Sequence, residues 1–335
     1  MDLGKERASQ LLTAADSTKI LVVGDLMLDR YIFGSVDRIS PEAPVPVVHV
    51  VSEESRPGGA SNVALNIAAL GGGSMVAGIV GDDDAGRELL GALRASQIDV
   101  AGVTGVAGIH TTQKTRIIAE RQQVARVDHE DCADLYAERV ADLCEILPDL
   151  VQKSTGVIIE DYGKGVICQE VVDCVLAAAQ TFGRPVGFDP KDNHSLNIPW
   201  LTLATPNYRE ACLASGQPEV ALGDDPASND GLRQAGEALS ERWNTDFLMI
   251  TLGPHGMYLC PRNGEPTVQP TLAQEVFDVS GAGDTVIAVA MMAIAAGASY
   301  REAASLANHA AGVVVGKVGT ATCSCRELLD SFSEN

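Results

Sequence analysis

Residues 278–285 read Asp-Val-Ser-Gly-Ala-Gly-Asp-Thr, between a strand-like run at 274–277 and a long apolar run of small residues at 286–296. The second run is typical of a buried helix, so the octet predicts a tight turn from strand to helix. Gly281 and Gly283 carry no Cβ, which lets the backbone around Ala282 approach a ligand closely. The first amides of a helix and its dipole favour negative charge. The stretch therefore predicts an anion site, and a turn that only caps a helix is the alternative.

Asp284 places a carboxylate inside this predicted anion site, where negative charge is costly unless it has a task. Its ordinary pKa of about 3.9 leaves an aspartate ionised at neutral pH. It can then accept a proton from an attacking hydroxyl group, which is the task of a general base.

The composition of the 335 residues excludes several classes of protein. A hydrophobic fraction of 46% suffices for a full core, and a net charge of −21 repels nucleic acid and anionic lipid. The eight cysteines form no C-x-x-C pair, the first residues lack the apolar core of an export signal, and no apolar run nears the ~20 residues of a membrane span. We expect a cytoplasmic protein with reduced thiols and neither a nucleic-acid nor a membrane partner.

Short apolar runs alternate with helical stretches along the chain. The runs lie at 20–23, 76–80, 157–159, 186–188 and 247–251, and the helices at 61–70, 84–95 and 169–181. This alternation predicts an α/β fold whose mostly parallel central sheet has helices on both faces.

Two segments predict antiparallel ribbon outside the main sheet: the one at about 31–55 has three prolines and β-rich flanks, and the one at about 108–130 alternates polar and apolar residues. We expect them to form a small β-sheet lid over the carboxyl edge of the main sheet, within a single domain of residues 1–335. An exposed ribbon face also predicts a homodimer through the lid.

Polar side chains follow the predicted strands, at the edge where open α/β sheets bind ligands. These candidates for binding a substrate are Asp29, Asp161, Lys164, Asp189 and Lys191. The two lysines, with Arg116 from the lid, are suitable cations for a substrate phosphate. The alternatives are a structural turn carboxylate at Asp29 and ordinary solvated lysines.

A second glycine pair, Gly58-Gly59, precedes a helix that carries Asn62 in its first turn. The glycines allow close approach to a ligand, and the Asn62 amide can both donate to and accept from sugar hydroxyls. The alternative is a helix start capped by Ser61.

Two further elements suit a nucleotide. Asn207 and Glu210 can act on Mg2+ through its water ligands, and they also match the two positions of an N-terminal capping box. Thr251, Gly253 and Gly256 lie in a strand and glycine turn that suits the rim of a nucleotide site.

Taken in order, Gly58-Gly59-x-x-Asn62, Asn207-x-x-Glu210 and the octet at 278–285 resemble motifs of the ribokinase-like (PfkB) carbohydrate kinases. The resemblance implies a ribokinase-like fold and transfer of phosphate from ATP, with Mg2+, to a sugar hydroxyl. It implies Asp284 as the base, amides of 281–284 around the phosphoryl group, and Asn207 and Glu210 serving Mg-ATP. Thr251 to Gly256 and Asn308 resemble nucleotide-pocket positions. Asp278 and Ser280 resemble ligands of the monovalent cation, such as K+, that some members use.

Within that family, residues 23–31, 38–48 and 56–64 resemble the kinases of D-glycero-β-D-manno-heptose 7-phosphate. The implied product is the 1,7-bisphosphate, a step towards ADP-heptose for lipopolysaccharide core. No H-x-G-H nucleotidyltransferase motif occurs, so we expect a stand-alone kinase with a separate adenylyltransferase as its pathway partner.

Three alternatives compete with this interpretation. One is a PfkB kinase of fructose phosphate or a nucleoside, and another is a non-catalytic protein that binds sugar or nucleotide. The third, a dinucleotide-dependent oxidoreductase, needs G-x-G-x-x-G after the first strand, and residues 24–29 lack it.

Overall fold

The computed structural model describes residues 3–120, 122–191, 195–223, 225–273 and 276–332. Its strands are β1 (Lys19–Gly24), β2 (Leu26–Ile39), β3 (Pro46–Gly59), β4 (Gly73–Gly81), β5 (Asp99–Val106), β6 (Thr112–Ala119), β7 (Gln122–His129), β8 (Gly156–Glu160), β9 (Val186–Asp189), β10 (Leu201–Ala204), β11 (Thr245–Thr251), β12 (Met257–Pro261) and β13 (Thr267–Gln269). Its α-helices are α1 (Lys5–Ala15), α2 (Ala60–Ala69), α3 (Asp84–Ala95), α4 (Ala137–Lys153), α5 (Gln169–Phe182), α6 (Tyr208–Ser215), α7 (Asp230–Arg242), α8 (Ala282–Ala295), α9 (Tyr300–Val314) and α10 (Cys325–Asp330). The strands predicted at the five short apolar runs and the three helices predicted between them are all present.

The main sheet has the order β13-β12-β11-β10-β9-β8-β1-β4-β5. From β11 to β5 every neighbouring pair is parallel, whereas β12 and β13 add an antiparallel edge. Parallel strands place their carboxyl ends at one edge, so the ends of β1, β8, β9 and β11 lie together. The predicted mostly parallel sheet is confirmed.

Two hydrophobic cores cover the two faces of the main sheet. Successive residues of a strand point to opposite faces, and β1 shows this alternation. Ile20 and Val22 pack in the core formed with α2, α8 and α9, while Leu21 and Val23 pack in the core formed with α4 and α5. Burial on both faces explains why β1 is an uninterrupted apolar run rather than an alternating one.

The smaller sheet has the order β3-β2-β6-β7, and we call it the lid sheet. Strands β2 and β3 are antiparallel, β2 and β6 parallel, and β6 and β7 antiparallel. Its strands lie within 26–59 and 112–129, so β2 begins earlier than predicted, directly after β1. Asp29 therefore lies on a lid strand rather than in a turn.

The strand expected before the octet is absent from the described residues. Gln274 and Glu275 lie outside them, and Val276 and Phe277 are irregular, with exposed fractions of 62% and 67%. The amide of Phe277 instead donates to the carbonyl of Val315 at the end of α9. Helix α8 thus follows a loop, because the apolar side chains before it have no sheet to pack against.

In the described ranges, no helix combines the length and the apolar character that crossing a membrane requires.

Candidate active site

A cavity of about 730 Å³ opens at the carboxyl edge of the main sheet. Of the predicted site residues, those that line it are Asp161, Asp189, Lys191, Asn207, Glu210, Thr251, Gly253, Gly256, Gly281, Ala282, Gly283, Asp284 and Asn308. Its volume is within the ordinary range for a ligand pocket. The octet therefore meets the predicted nucleotide-side residues in one cavity.

Asp284 lies in the first turn of α8 and is buried, with 3% of its surface exposed. Its Oδ1 accepts a hydrogen bond from the Tyr162 hydroxyl and its Oδ2 accepts one from the Asn62 amide, each at 2.7 Å. Burial raises the pKa of Asp284, and these two hydrogen bonds offset part of that rise. Each carboxylate oxygen keeps a second lone pair, so the group can still accept a proton from a ligand.

The backbone before α8 requires glycine. Gly281 is the N-cap of the helix with φ of 78°, and a Cβ there would lie 2.7 Å from Asn62 Nδ2. A Cβ on Gly283 would lie 3.8 Å from Asp189 Oδ2, so the same turn passes close to a second carboxylate. The amide of Ala282 donates to the Val279 carbonyl at 3.2 Å, whereas the amides of Gly283 and Asp284, in the first turn, have no acceptor within the helix, so the turn can bind an anion.

Tyr162 is a site residue that the sequence did not single out. Burial and the charge of Asp284 raise the pKa of Tyr162 well above its usual value, so its hydroxyl remains a donor to that carboxylate. Tyr162 is the second residue after β8, and its place just past a strand end was the available signal.

A single buried carboxylate, Asp25, shapes the loop that carries Tyr162. Its Oδ2 accepts hydrogen bonds from the amides of Tyr162 (2.9 Å) and Lys164 (3.0 Å), and its Oδ1 accepts one from the amide of Val166 (3.1 Å). Three amides are thus fixed by one side chain of the neighbouring strand connection. Tyr162 and Lys164 owe their positions to this arrangement.

The predicted sugar-side residues lie on the lid sheet and α2. Asp29 is buried, and its Oδ1 accepts a hydrogen bond from Arg116 at 2.6 Å. A Cβ on Gly58 would collide with the Asp29 carboxylate, and Gly59 has φ of 56°, so both positions require glycine. The alternative cap residue, Ser61, is instead the second residue of α2, and its hydroxyl has no partner among the described residues.

Lys114 and Lys191 lie over the ring of Tyr162, and Lys164 lies on the same loop as that tyrosine. Lys164 forms an ion pair with Glu130, and the Lys191 ammonium lies 4.0 Å from Glu210 Oε1. Lys114, which the sequence did not single out, forms no ion pair in the described part of the chain, and its ammonium lies 5.0 Å from the Tyr162 ring centre. Burial lowers the pKa of Lys114, although Asp29 opposes that shift. Lys114 shares a face of β6 with Arg116, so strand alternation could have indicated it.

On the nucleotide side, Asn207 and Glu210 form the capping box of α6. Asn207 Oδ1 accepts from the Glu210 amide (2.9 Å), and Glu210 Oε2 accepts from the Asn207 amide (2.8 Å). Carboxylate and amide oxygens suit Mg2+, and because both groups are engaged by amides they would hold it through its water ligands. The capping function is confirmed, and it is compatible with the predicted service to Mg2+.

The remaining nucleotide-side residues border the same space. Thr251 ends β11 beside Asn207, and Gly253 and Gly256 form the turn that follows, both with positive φ. Asn308 of α9 donates to the carbonyl of Pro270 at 2.8 Å.

Asp278 is engaged by backbone amides. Its oxygens accept from the amides of Ser280 and Gly319, each at 2.9 Å. Burial would raise the pKa of Asp278, but these hydrogen bonds outweigh it and lower the pKa. The structure holds Asp278 and Ser280 together but does not test a monovalent cation there.

Two carboxyl groups that line the cavity, Asp189 and Asp284, lie close to a third, Glu160. The carboxyl oxygens of Glu160, Asp189 and Asp284 lie within 4.8 Å of one another. Glu160 was not predicted as a site residue, because in the sequence it is only the polar end of an apolar run.

A family model described as pfkB family carbohydrate kinase matches residues 17–326. Bifunctional protein HldE of Geobacter sulfurreducens is 42% identical over 328 residues, which cover 98% of this chain and 66% of that protein. Bifunctional protein HldE of Caulobacter sp. strain K31 is 44% identical over 322 residues, covering 96% and 64%. The chain thus spans about two thirds of the length of the curated relatives that it matches.

Solved structures resemble the fold. Arabidopsis thaliana ribokinase, complexed with ribose and ATP, superposes with a TM-score of 0.71 at 18% identity, covering 95% of this chain and 99% of that one. Phosphofructokinase-2 of Escherichia coli, in complex with potassium, has a TM-score of 0.73 at 18% identity, covering 94% and 98%. At such identities the likeness shows a ribokinase-like fold, as the sequence predicted.

Proposed function

Because the chain belongs to the pfkB family of carbohydrate kinases, we propose that it phosphorylates the anomeric C1 hydroxyl of D-glycero-β-D-manno-heptose 7-phosphate with ATP. The observation that carries the chemistry is Asp284, buried in the first turn of α8 beside the glycine turn and the cavity. The choice of sugar rests on the resemblance of residues 23–31, 38–48 and 56–64 to heptose 7-phosphate kinases. Similarity to HldE along 98% of the chain supports that choice.

In the proposed reaction Asp284 accepts the proton of the C1 hydroxyl. Tyr162 and Asn62 hold its carboxylate by hydrogen bonds, which fixes the direction in which its remaining lone pairs point. The hydroxyl oxygen then forms a bond to the γ-phosphorus of ATP, the bond from that phosphorus to the bridging oxygen breaks, and ADP leaves with the electron pair.

In the proposed reaction the amides of residues 281–284 stabilise the transferring phosphoryl group. Such donors act strongly because they are fixed before the reaction and lie at a site of low polarity. Bound Mg2+ would screen the charge of the phosphates, with Asn207 and Glu210 holding its water ligands.

The distal phosphate of the sugar is assigned to the lysines around Tyr162. Lys114 is the best candidate, since its ammonium has no ion-pair partner among the described residues and lies over the ring of the tyrosine that contacts the base. Lys164 and Lys191 lie in the same cluster. Arg116 is a poorer candidate than expected, because it is paired with Asp29. Asp29 and Asn62 would then orient ring hydroxyls.

The proposal also covers the oligomeric state of the enzyme, a bound cation, its compartment and its pathway partner. Ile39, Val51 and Val127 expose apolar surface on the lid sheet, which supports a homodimer through that sheet. Sedimentation at micromolar concentration tests the dimer, and replacement of K+ by a larger cation tests a cation site at Asp278 and Ser280. A supply of ATP favours the cytoplasm, and conversion of the product to ADP-heptose needs an adenylyltransferase activity as partner.

The test of this function is ADP release with Mg-ATP on heptose 7-phosphate, sedoheptulose 7-phosphate, fructose 6-phosphate, ribose and adenosine. We expect turnover on heptose 7-phosphate, with phosphorus NMR showing a new phosphate at C1. Turnover on fructose 6-phosphate alone would keep the kinase chemistry and refute the heptose assignment. No ADP release with any acceptor would refute both the kinase chemistry and the heptose assignment.

A further inference from the structure

Glu160, the last residue of β8, is a buried carboxyl group that no hydrogen-bond donor of the described residues reaches. None of its surface is exposed, and neither carboxyl oxygen has a hydrogen-bond partner in the described part of the chain. An ionised carboxylate in such surroundings is strongly unfavourable, and a buried carboxyl group of this kind usually keeps its proton and stays neutral.

The nearest groups to Glu160 are also carboxyls. Strands β8 and β9 pair in parallel with Glu160 opposite Asp189, and the oxygens of these two residues and Asp284 lie within 4.8 Å of one another. Asp189 accepts a hydrogen bond from the Thr205 hydroxyl at 2.8 Å, and Asp284 accepts from two donors. Glu160 is therefore the member of this cluster that lacks a donor among the described residues.

The other titratable groups that act on the cluster are Asp29, Asp161, Tyr162, Glu210 and Lys114, and Lys191 lies nearby, over the Tyr162 ring. The two lysines lie over the ring of Tyr162, and no ion pair joins either of them to Glu160 within the described residues. Burial and the negative charge of Asp189 raise the pKa of Glu160 well above its ordinary value. Like charges this close cannot all ionise in a buried site, so one proton is retained.

We propose that Glu160 is a positioning residue that keeps its proton at neutral pH and donates that O–H to Asp189, so that the pair carries a single negative charge. The proton resides on Glu160 because Asp189 already has Thr205 as a donor. The hydrogen bond also fixes the Asp189 carboxylate, which borders the glycine turn at the start of α8.

The consequence concerns the charge beside the anion site. Asp189 and Asp284 both line the cavity, so ionisation of Glu160 would add a further negative charge next to an incoming phosphate. The neutral acid at Glu160 limits this repulsion while still orienting Asp189. The inference uses the proposed function only for that purpose, and its test does not depend on turnover.

The experiment is infrared spectroscopy of the nucleotide-free protein, comparing wild type with Glu160→Gln. We expect the wild type to show, at pH 7, the C=O band of a buried protonated carboxyl group that Glu160→Gln lacks. Asp189→Asn, which alters the acceptor but keeps Glu160, should shift that band rather than remove it. This second variant keeps the test decisive if Glu160→Gln does not fold.

Thermal unfolding between pH 5 and pH 9 gives an independent readout. An unfolded glutamate loses its proton above a pH of about 4.3, whereas the folded Glu160 keeps it, so the wild type should lose stability as the pH rises. Glutamine is neutral throughout this pH range. The Tm of Glu160→Gln, relative to that of the wild type, should therefore increase as the pH rises. The matched control, Glu241→Gln on the exposed face of α7, should show no such trend.

Three results would overturn the proposal. They are the absence of the carboxyl band from the wild type at pH 7, a Tm difference that does not grow with pH, and tight Mn2+ binding by the nucleotide-free wild type that Glu160→Gln abolishes. The last result would make Glu160 an ionised metal ligand.

Discussion

Replacing Asp284 with asparagine removes the proposed base while conserving its shape. Loss of a positioned general base costs about 10²–10⁴-fold in rate, or about 2.7–5.5 kcal/mol of transition-state stabilisation. We therefore expect kcat to fall at least ~100-fold.

The same substitution should leave the fold intact. The new amide group would face the Asn62 amide across the 2.7 Å contact, and one lost hydrogen bond costs about 1 kcal/mol. Replacing the buried carboxylate with a neutral amide acts in the opposite direction, because it removes a charge from the protein interior. Because burial raises the pKa of Asp284, its stabilising contribution is complete below its ordinary pKa and declines as the pH rises through the folded value. Asparagine, neutral at every pH, avoids that loss, so we expect Tm to change by no more than about 2 °C.

The assay is initial-rate ADP release with Mg-ATP and heptose 7-phosphate, with Tm measured on the same preparations. Asp83→Asn is the matched control, since Asp83 is the N-cap of α3 and its side chain accepts from the Gly86 amide, a contact outside the cavity. Near-normal turnover by a folded Asp284→Asn variant would refute the assignment of the base, whatever the substrate.

Three further changes test other parts of the site. Lys114→Met removes a charge-assisted contact with the distal phosphate, so the KM for the sugar phosphate should rise about 10- to 100-fold. The KM for ATP should stay nearly constant. Equal changes in the two KM values would contradict the assignment of Lys114 to the distal phosphate. Tyr162→Phe removes a hydrogen bond that lowers the pKa of Asp284, so the acid limb of kcat/KM should move to higher pH, and an unmoved limb would argue against Asp284 as its source. Gly256→Ala forces a side chain onto a residue with φ of 91° and against the Gln269 carbonyl. It should destabilise the protein by about 2–4 kcal/mol in urea unfolding, whereas Gly91→Ala in α3, with open space around it, should not.

The main sheet could be predicted because its strands are buried on both faces. Such strands appear in the sequence as short apolar runs, as at β1, and the helices between them follow from their length. The glycine turn before α8 was equally visible, because its glycines and Asp284 lie next to one another in the chain.

Contacts between distant segments could not be predicted in this way. Lys114 reaches Tyr162 only because β6 pairs with β2 and the lid sheet lies beside the loop after β8. The Glu160 cluster depends on the register of β8 against β9, which no local pattern specifies. The described half of the strand expected at 274–277 is irregular for a related reason, since the apolar pair Val276-Phe277 predicts burial but does not supply the neighbour that buries it.

The hydrogen bonds that Asp25 accepts from the loop after β8 have a consequence for how this enzyme can change. The loop's backbone is held through three of its amides, by a side chain that belongs to another segment. Mutations at Tyr162 or Lys164 therefore alter what the loop presents to a ligand without altering its path. Such a loop is a favourable place for evolution, or for a designer, to exchange one acceptor sugar for another, provided that Asp25 is left untouched.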